Sequence, residues 1–327
     1  MNSKSKHILK SSRIRVGITM GDPSGIGPAI TLKAINELRD LAEFVLIGDK
    51  WVFEHASCLM PHASCVKFID LNNVPHNNFS FGKVKAEYGK ASIEYLDKAL
   101  ELIKNKEIDC LVTCPISKEA INLAGLNWPG HTEYLAKRTH TKDFVMMLLN
   151  KHLKISLVTR HISLKRVAWE ITKDKISKTI LLTYKSLREL FLVKVPRIVV
   201  CGLNPHASDN GVLGKEENRI IKPALKSLRK KIKHIYGPLS ADVAISKANQ
   251  KEYDCVIVMY HDQALIPLKL LDKQTGVNIT LGLPFVRTSP LHGTAFDIAA
   301  NSALANPASL IEAIKLAIRC TLNLKNI

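Results

Sequence analysis

The strongest constraint on how this chain can fold is an alternation of two periodicities. Short apolar runs of strand length lie at 15–20, 44–47, 110–113, 144–149, 155–159, 198–201 and 255–259. Between and after them come stretches of helical period at 28–41, 92–104, 117–124, 175–192, 216–230 and 308–322. A strand apolar along its whole length has to be covered on both faces, and a parallel neighbour is reached only through a crossover of helical length. Strand, helix, strand in repetition therefore predicts an α/β fold with a mostly parallel sheet. At 327 residues the chain can bury more than one core. It has no internal repeat, low-complexity segment or long polar linker, so two domains would be joined by crossing strands.

The strand ends carry the chemistry. In VIVMYHDQALIPLK an apolar run is followed at once by His261 and Asp262, where a plain turn would favour Gly, Asn or Pro. Two other runs end alike: ISLVTRHISL places His161 just past a strand, and RIVVCGLNPHASDNG places His206 a few residues past another. Ligands of open α/β sheets bind at that carboxyl edge. A single such histidine is ordinarily a surface or hydrogen-bonded structural residue. Three at equivalent positions fit a catalytic divalent-metal site with an open coordination position, and Asp262 and Asp209 are candidate carboxylates behind the imidazoles.

Three further segments suit anions. Gly21, Gly25 and Gly27 in GDPSGIGPAI allow tight turns, and Pro28 fits the first turn of a helix. The segment is neither GxGxxG nor a Walker loop, so a phosphate cradle and a structural turn are both open readings. WPGHTEYLAKR offers His131 beside Thr132, a candidate helix N-cap. PLKLLDKQTGVNITLGLPFVRTSP supplies Lys269, Asn278 and Arg287, donors suited to phosphate or carboxylate. Arg287, set among apolar residues, is the hardest of these to read as a solvated charge.

A net charge of +18 raises the question of nucleic acid. Lysines far outnumber arginines, are spread along the chain, and never interleave with aromatics as a stacking platform would. Nucleic-acid binding is excluded as the main function, and an anionic substrate is favoured. No apolar run approaches the ~20 residues of a membrane span, and the basic start at 1–15 reads as a solvated tail. The cysteines at 58, 65, 110, 114, 201, 255 and 320 form no CxxC pair, which fits buried thiols of a cytoplasmic protein.

The stretches GITMGDPSGIGP, TCPISK, GHTEYL, RHISL, GLNPHASDNG, GPLSAD, YHDQALIPLK and GVNITLGLPFVRTSPLHGTAFDIA together resemble the 4-hydroxythreonine-4-phosphate dehydrogenase family along nearly the whole chain. The resemblance implies a two-domain α/β/α fold related to isocitrate and isopropylmalate dehydrogenases. It implies a homodimer with the active site at the interface, NAD or NADP as cofactor, and a divalent ion such as zinc, magnesium or cobalt. His161, His206 and His261 match the metal ligands, shared between subunits. His131, Thr132, Lys269, Asn278 and Arg287 match substrate-binding positions. His292, Gly293 and Asp297, in HGTAFDIA, resemble the adenosine-binding loop of the decarboxylating dehydrogenases. The activity implied is oxidation of 4-phosphooxy-L-threonine at C3, then decarboxylation to 3-amino-2-oxopropyl phosphate, in pyridoxine phosphate biosynthesis. A dehydrogenase of D-erythronate or D-threonate 4-phosphate is the alternative. The general base is open between Lys118, His131 and metal-bound hydroxide. Cys114 stands where the family pattern leads one to expect Gly or Ala. The expected domains are 1–125 with 265–327, and 126–264.

Overall fold

The computed structural model describes residues 13–56 and 66–326. The basic start at 1–12 and the expected buried thiols Cys58 and Cys65 lie outside them. Two compact units are present, Met1–His131 with His292–Leu322, and Thr132–Leu291 with Asn323–Ile327.

The first unit contains β1 (Arg15–Thr19), α1 (Gly27–Leu38), β2 (Glu43–Gly48), α2 (Lys50–Ala56), β3 (Val66–Asp70), α3 (Ala86–Lys104), β4 (Cys110–Thr113) and α4 (Lys118–Leu123), with most of α11 (Ala308–Lys325). Its strands run in the order β3-β2-β1-β4, every pair parallel. Side chains of β1, β2 and β4 are buried almost without exception, as continuous apolar runs require. Helices α3 and α4 approach so closely that a Cβ on Gly89 would lie 2.2 Å from the carbonyl of Ala120, so a side chain there would force the two helices apart.

In the second unit, α5 (His131–Arg138) is followed by β5 (Val145–Leu149), β6 (Lys154–Leu157), α6 (Leu164–Glu170), α7 (Lys173–Glu189), β7 (Ile198–Cys201), α8 (Lys222–Leu228), β8 (Ile235–Leu239), α9 (Ala241–Asn249), β9 (Cys255–Val258), α10 (His261–Leu271), β10 (Val277–Leu281) and β11 (Arg287–Pro290). The strand order is β11-β10-β5-β6-β9-β7-β8. Strands β6, β9, β7 and β8 are mutually parallel, while β5, β10 and β11 pair antiparallel. Ile155, Leu157, Val199, Val256 and Val258 meet Ala264 and Leu268 of α10 and Ala244 and Ala248 of α9 in one apolar core. Thr172 starts α7 by accepting the Lys175 backbone N–H at 3.2 Å.

The stretch 265–291 belongs with this second unit, not with the first as expected, and 126–131 with the first. The reason is pairing: β10 sits between β11 and β5, and Leu268 is part of the second unit's core. The free cysteines 110, 114, 201, 255 and 320 are buried, as their apolar surroundings implied. Among the described residues no helix is long and apolar enough to cross a membrane.

Candidate active site

The three histidines leave neighbouring strands. β6, β9 and β7 are adjacent and parallel, and His161, His261 and His206 follow them on the carboxyl side. His161 and His261 bring their rings to 5.5 Å between centroids. His261 is the first residue of α10, and its Nδ1 lies 3.0 Å from Asp262 Oδ1, so the neighbouring carboxylate can hold the tautomer that leaves Nε2 for a ligand. Gln263 ties two of these edges together: its Oε1 accepts the Met259 N–H at 2.8 Å, and its Nε2 donates to Gly202 O at 3.0 Å.

His206 opens an unusual turn. His206, Ala207, Ser208, Asp209 and Asn210 all have positive φ, between 44° and 70°, so the chain winds left-handed over five consecutive non-glycine residues. Each such residue costs about 1–2 kcal/mol relative to the right-handed form, less for Asn and Asp. The buried carboxylate of Glu217 fixes the entry to this turn by accepting from Leu203 N and Asn204 N, both at 2.8 Å, and from Asn204 Nδ2 at 2.9 Å. Asp209 lies inside the turn. Among the described residues no three His, Cys, Asp or Glu side chains gather closely enough to hold a metal within this one chain. Imidazoles at one sheet edge with a carboxylate behind one of them are nonetheless the donor chemistry that a divalent ion takes.

Beside this edge is a buried polar cluster. Arg287, 1% exposed, donates from Nη1 to Thr280 Oγ1 at 3.1 Å, and Thr280 Oγ1 lies 3.4 Å from Thr132 Oγ1. Asn278 shares the face of β10 that carries Thr280, two residues on, and its buried Oδ1 has no hydrogen-bond partner among the described residues. Burial pushes the Arg287 guanidinium down to about 10, with Glu133 opposing the shift. Thr132, Asn278 and Arg287 are thus brought together, through a Thr280 that nothing in the sequence singled out. Thr132 sits inside the first turn of α5 and does not cap it, because the helix begins at His131. Lys269 stands exposed in the last turn of α10, and Lys118 exposed at the start of α4.

In the first unit the loop after β1 meets the His292–Ala299 segment: the Ile26 N–H donates to Thr294 O at 2.9 Å. His292 Nδ1 lies 3.0 Å from Gly293 O, and Gly293 and Asp297 are exposed. The N–H groups of Asp22, Ser24, Gly25 and Ile26 in the loop after β1 are engaged within the fold, which favours the structural turn over the phosphate cradle. Asp22 N donates to Pro115 O, Ser24 N to Asp22 Oδ1 and Gly25 N to Asp22 O, and a Cβ on Gly27 would lie 2.1 Å from Met20 O. Asp22 itself is fully buried, with Oδ2 unpartnered among the described residues, and burial pushes its carboxyl up to about 6. Cys114 packs under this turn, 3.2 Å from Thr31 Oγ1, and burial raises its thiol to about 12, which leaves it chemically quiet.

Similarity to known proteins agrees with this geometry. The family described as pyridoxal phosphate biosynthetic protein PdxA matches residues 34–317. A 4-hydroxythreonine-4-phosphate dehydrogenase of Sulfurihydrogenibium sp. is 45% identical over 93% of this chain and 98% of its own. A D-threonate 4-phosphate dehydrogenase of Salmonella typhimurium is 39% identical over 93% and 98%. The crystal structure of 4-hydroxythreonine-4-phosphate dehydrogenase from Klebsiella pneumoniae superposes with a TM-score of 0.84 at 36% identity, covering 95% of this chain and 99% of that one. With most of its length matched by the family and by relatives well above 30% identity, this chain belongs to the PdxA family of pyridoxal phosphate biosynthetic proteins.

Proposed function

We propose that the protein oxidises 4-phosphooxy-L-threonine at its C3 hydroxyl with NAD(P)+, and that the resulting β-keto acid loses CO2 to give 3-amino-2-oxopropyl phosphate. The observation that carries this reading is the row of His161, His261 and His206 on three adjacent parallel strands, next to the buried Arg287–Thr280–Thr132 cluster. His161, His206 and His261 would hold a divalent ion, which when bound would supply Lewis-acid stabilisation of negative charge at the reacting hydroxyl. The chain's own residues bind and orient. Arg287 offers a cation in a water-poor setting, where its contact with a substrate anion is strong. Asn278 offers an amide whose buried oxygen lacks a partner, and Thr132 and His131 complete the pocket at the start of α5. Lys269 meets an anionic end from α10, and His292, Gly293 and Asp297 contact the adenosine side of the nicotinamide cofactor.

A homodimer with shared metal ligands fits two observations. The three histidines do not gather within one chain. The segments that follow them also expose large apolar side chains: Trp169 at 87% and Leu164 after His161, Val212 at 80% after His206, and Leu270 at 81% after His261. Large apolar side chains left exposed on all three segments support a contact with another chain there. A second substrate reading, D-threonate 4-phosphate, is favoured by the relatives of that name. The substrates share the phosphate and the oxidised hydroxyl and differ in the group at C2.

The test follows NADH formation from 4-phosphooxy-L-threonine before and after chelation, with divalent metal restored. Turnover that disappears with chelator and returns with metal is expected. Turnover on D-threonate 4-phosphate alone would replace the substrate and keep the site, and activity indifferent to chelation would remove the metal role of the histidines.

A further inference from the structure

Two guanidiniums sit close to the candidate site, and one carboxylate pairs with the more exposed of them. Glu133 lies in the first turn of α5, directly after Thr132. Its Oε1 is 3.5 Å from Nε of Arg160, each side chain only 25% exposed. The Arg160 guanidinium is also stacked over the Phe144 ring, 4.4 Å from the centroid, which fixes it from a second side. Arg160 is the residue immediately before His161. Glu133 is also the acidic group whose field supports the charge on the buried Arg287.

We infer that Glu133 is a positioning residue for the site: paired with Arg160 it clips the start of α5, with Thr132, to the loop that presents His161. A first-turn acid has a simpler role available, since it also complements the positive end of its own helix. The two roles differ in what they predict. A carboxylate that served only the helix would, on removal, lower the melting temperature and leave substrate affinity alone. A clip between two substrate-facing segments would, on removal, weaken substrate binding.

This inference rests on the functional reading above, and the experiment separates the two. Full-length wild type, Glu133→Gln, Glu133→Asp, Arg160→Met and the double variant Glu133→Gln/Arg160→Met are supplied with the metal that restores turnover. KM, kcat and melting temperature are recorded, and the substrate Kd is measured by calorimetry. Glu133→Gln is expected to raise KM and Kd about tenfold, equivalent to about 1.4 kcal/mol, with kcat within about twofold. Arg160→Met should do the same, Glu133→Asp should recover part of the loss, and the double variant should be no worse than the poorer single, because both remove one interaction. KM and Kd within about twofold of wild type in Glu133→Gln, whatever its melting temperature, would overturn the role, as would effects that multiply in the double variant. If Glu133→Gln does not fold, Arg160→Met reads the same pair by the same criteria. A wild type that neither binds nor oxidises either phosphorylated substrate would overturn the functional reading, and this inference with it. An active wild type with unaffected variants would overturn the inference alone.

Discussion

Replacing Arg287 with methionine should make the protein more stable and less active. The guanidinium is 1% exposed, and burial moves it from 12.5 down to about 10. Each pKa unit corresponds to 1.36 kcal/mol, so holding the cation in the fold costs about 3 kcal/mol. The sign follows from the direction of the shift. A base depressed on folding carries its full penalty at every pH below about 10, and is relieved only between there and 12.5. At pH 7.5 the whole penalty is therefore present. Methionine keeps an unbranched stem of adaptable shape and has no charge to desolvate. The bond to Thr280 is lost, worth about 1.5–3 kcal/mol because its donor is charged, although Thr280 still has Thr132 beside it. The net gain is at most about 1.5 kcal/mol, or about 3–6 °C in melting temperature at the 2–4 °C per kcal/mol typical of domains of 150–250 residues. kcat/KM should fall about tenfold or more, since a charged contact to substrate contributes about 1.5–3 kcal/mol. Thermal unfolding followed by circular dichroism, with steady-state kinetics on the same preparation, reads both effects. An Arg287→Met protein that melts below wild type would refute the reasoning, because the internal partners of the guanidinium would then more than offset its desolvation.

Two other outcomes are expected. Asp22→Asn should raise the melting temperature at pH 8 and leave it unchanged at pH 4. The carboxyl is held up at about 6 against a usual 3.8, a cost of about 3 kcal/mol that is present above pH 6 and gone below pH 4, so a gain independent of pH would contradict it. If the proposed dimer forms, Leu270→Glu, on the exposed face of α10, should shift it toward monomer in sedimentation velocity and lower activity in parallel, whereas an unchanged sedimentation coefficient would remove Leu270 from the proposed contact.

Legibility in the sequence followed burial. Strands β1, β2, β4, β5, β6, β7 and β9 are apolar runs covered on both faces, and each was anticipated within a residue or two. No comparable run marks β3, β8, β10 and β11. VKFID of β3 is only partly buried, IYGPL of β8 contains Gly and Pro, and RTSP of β11 is buried along its length although three of its four residues are polar. Polar side chains can be buried when tertiary partners satisfy them, and local pattern does not encode those partners. The same limit applies to the site. The histidines declared themselves because imidazole at a strand end is a poor choice for a mere turn, and Arg287 because charge in an apolar run is costly. Thr280 and Glu133 gave no such signal: one resembled any strand threonine, the other any first-turn helix acid. Asp22 was not singled out either, and its burial depends on the packing of residues far away in the sequence.

The turn that carries His206 amounts to a stretch of mirror-image helix. Five successive L-residues occupy backbone angles that D-residues would adopt by default. A semisynthetic protein with D-Ala at 207 would relax there and strain nowhere else in the turn, the reverse of what such a substitution does in ordinary secondary structure. The direction in which that imidazole leaves the backbone is thus not a preference of its own sequence. It is imposed from Glu217, eleven positions downstream, and an enantiomeric residue would be the gentlest probe of how firmly.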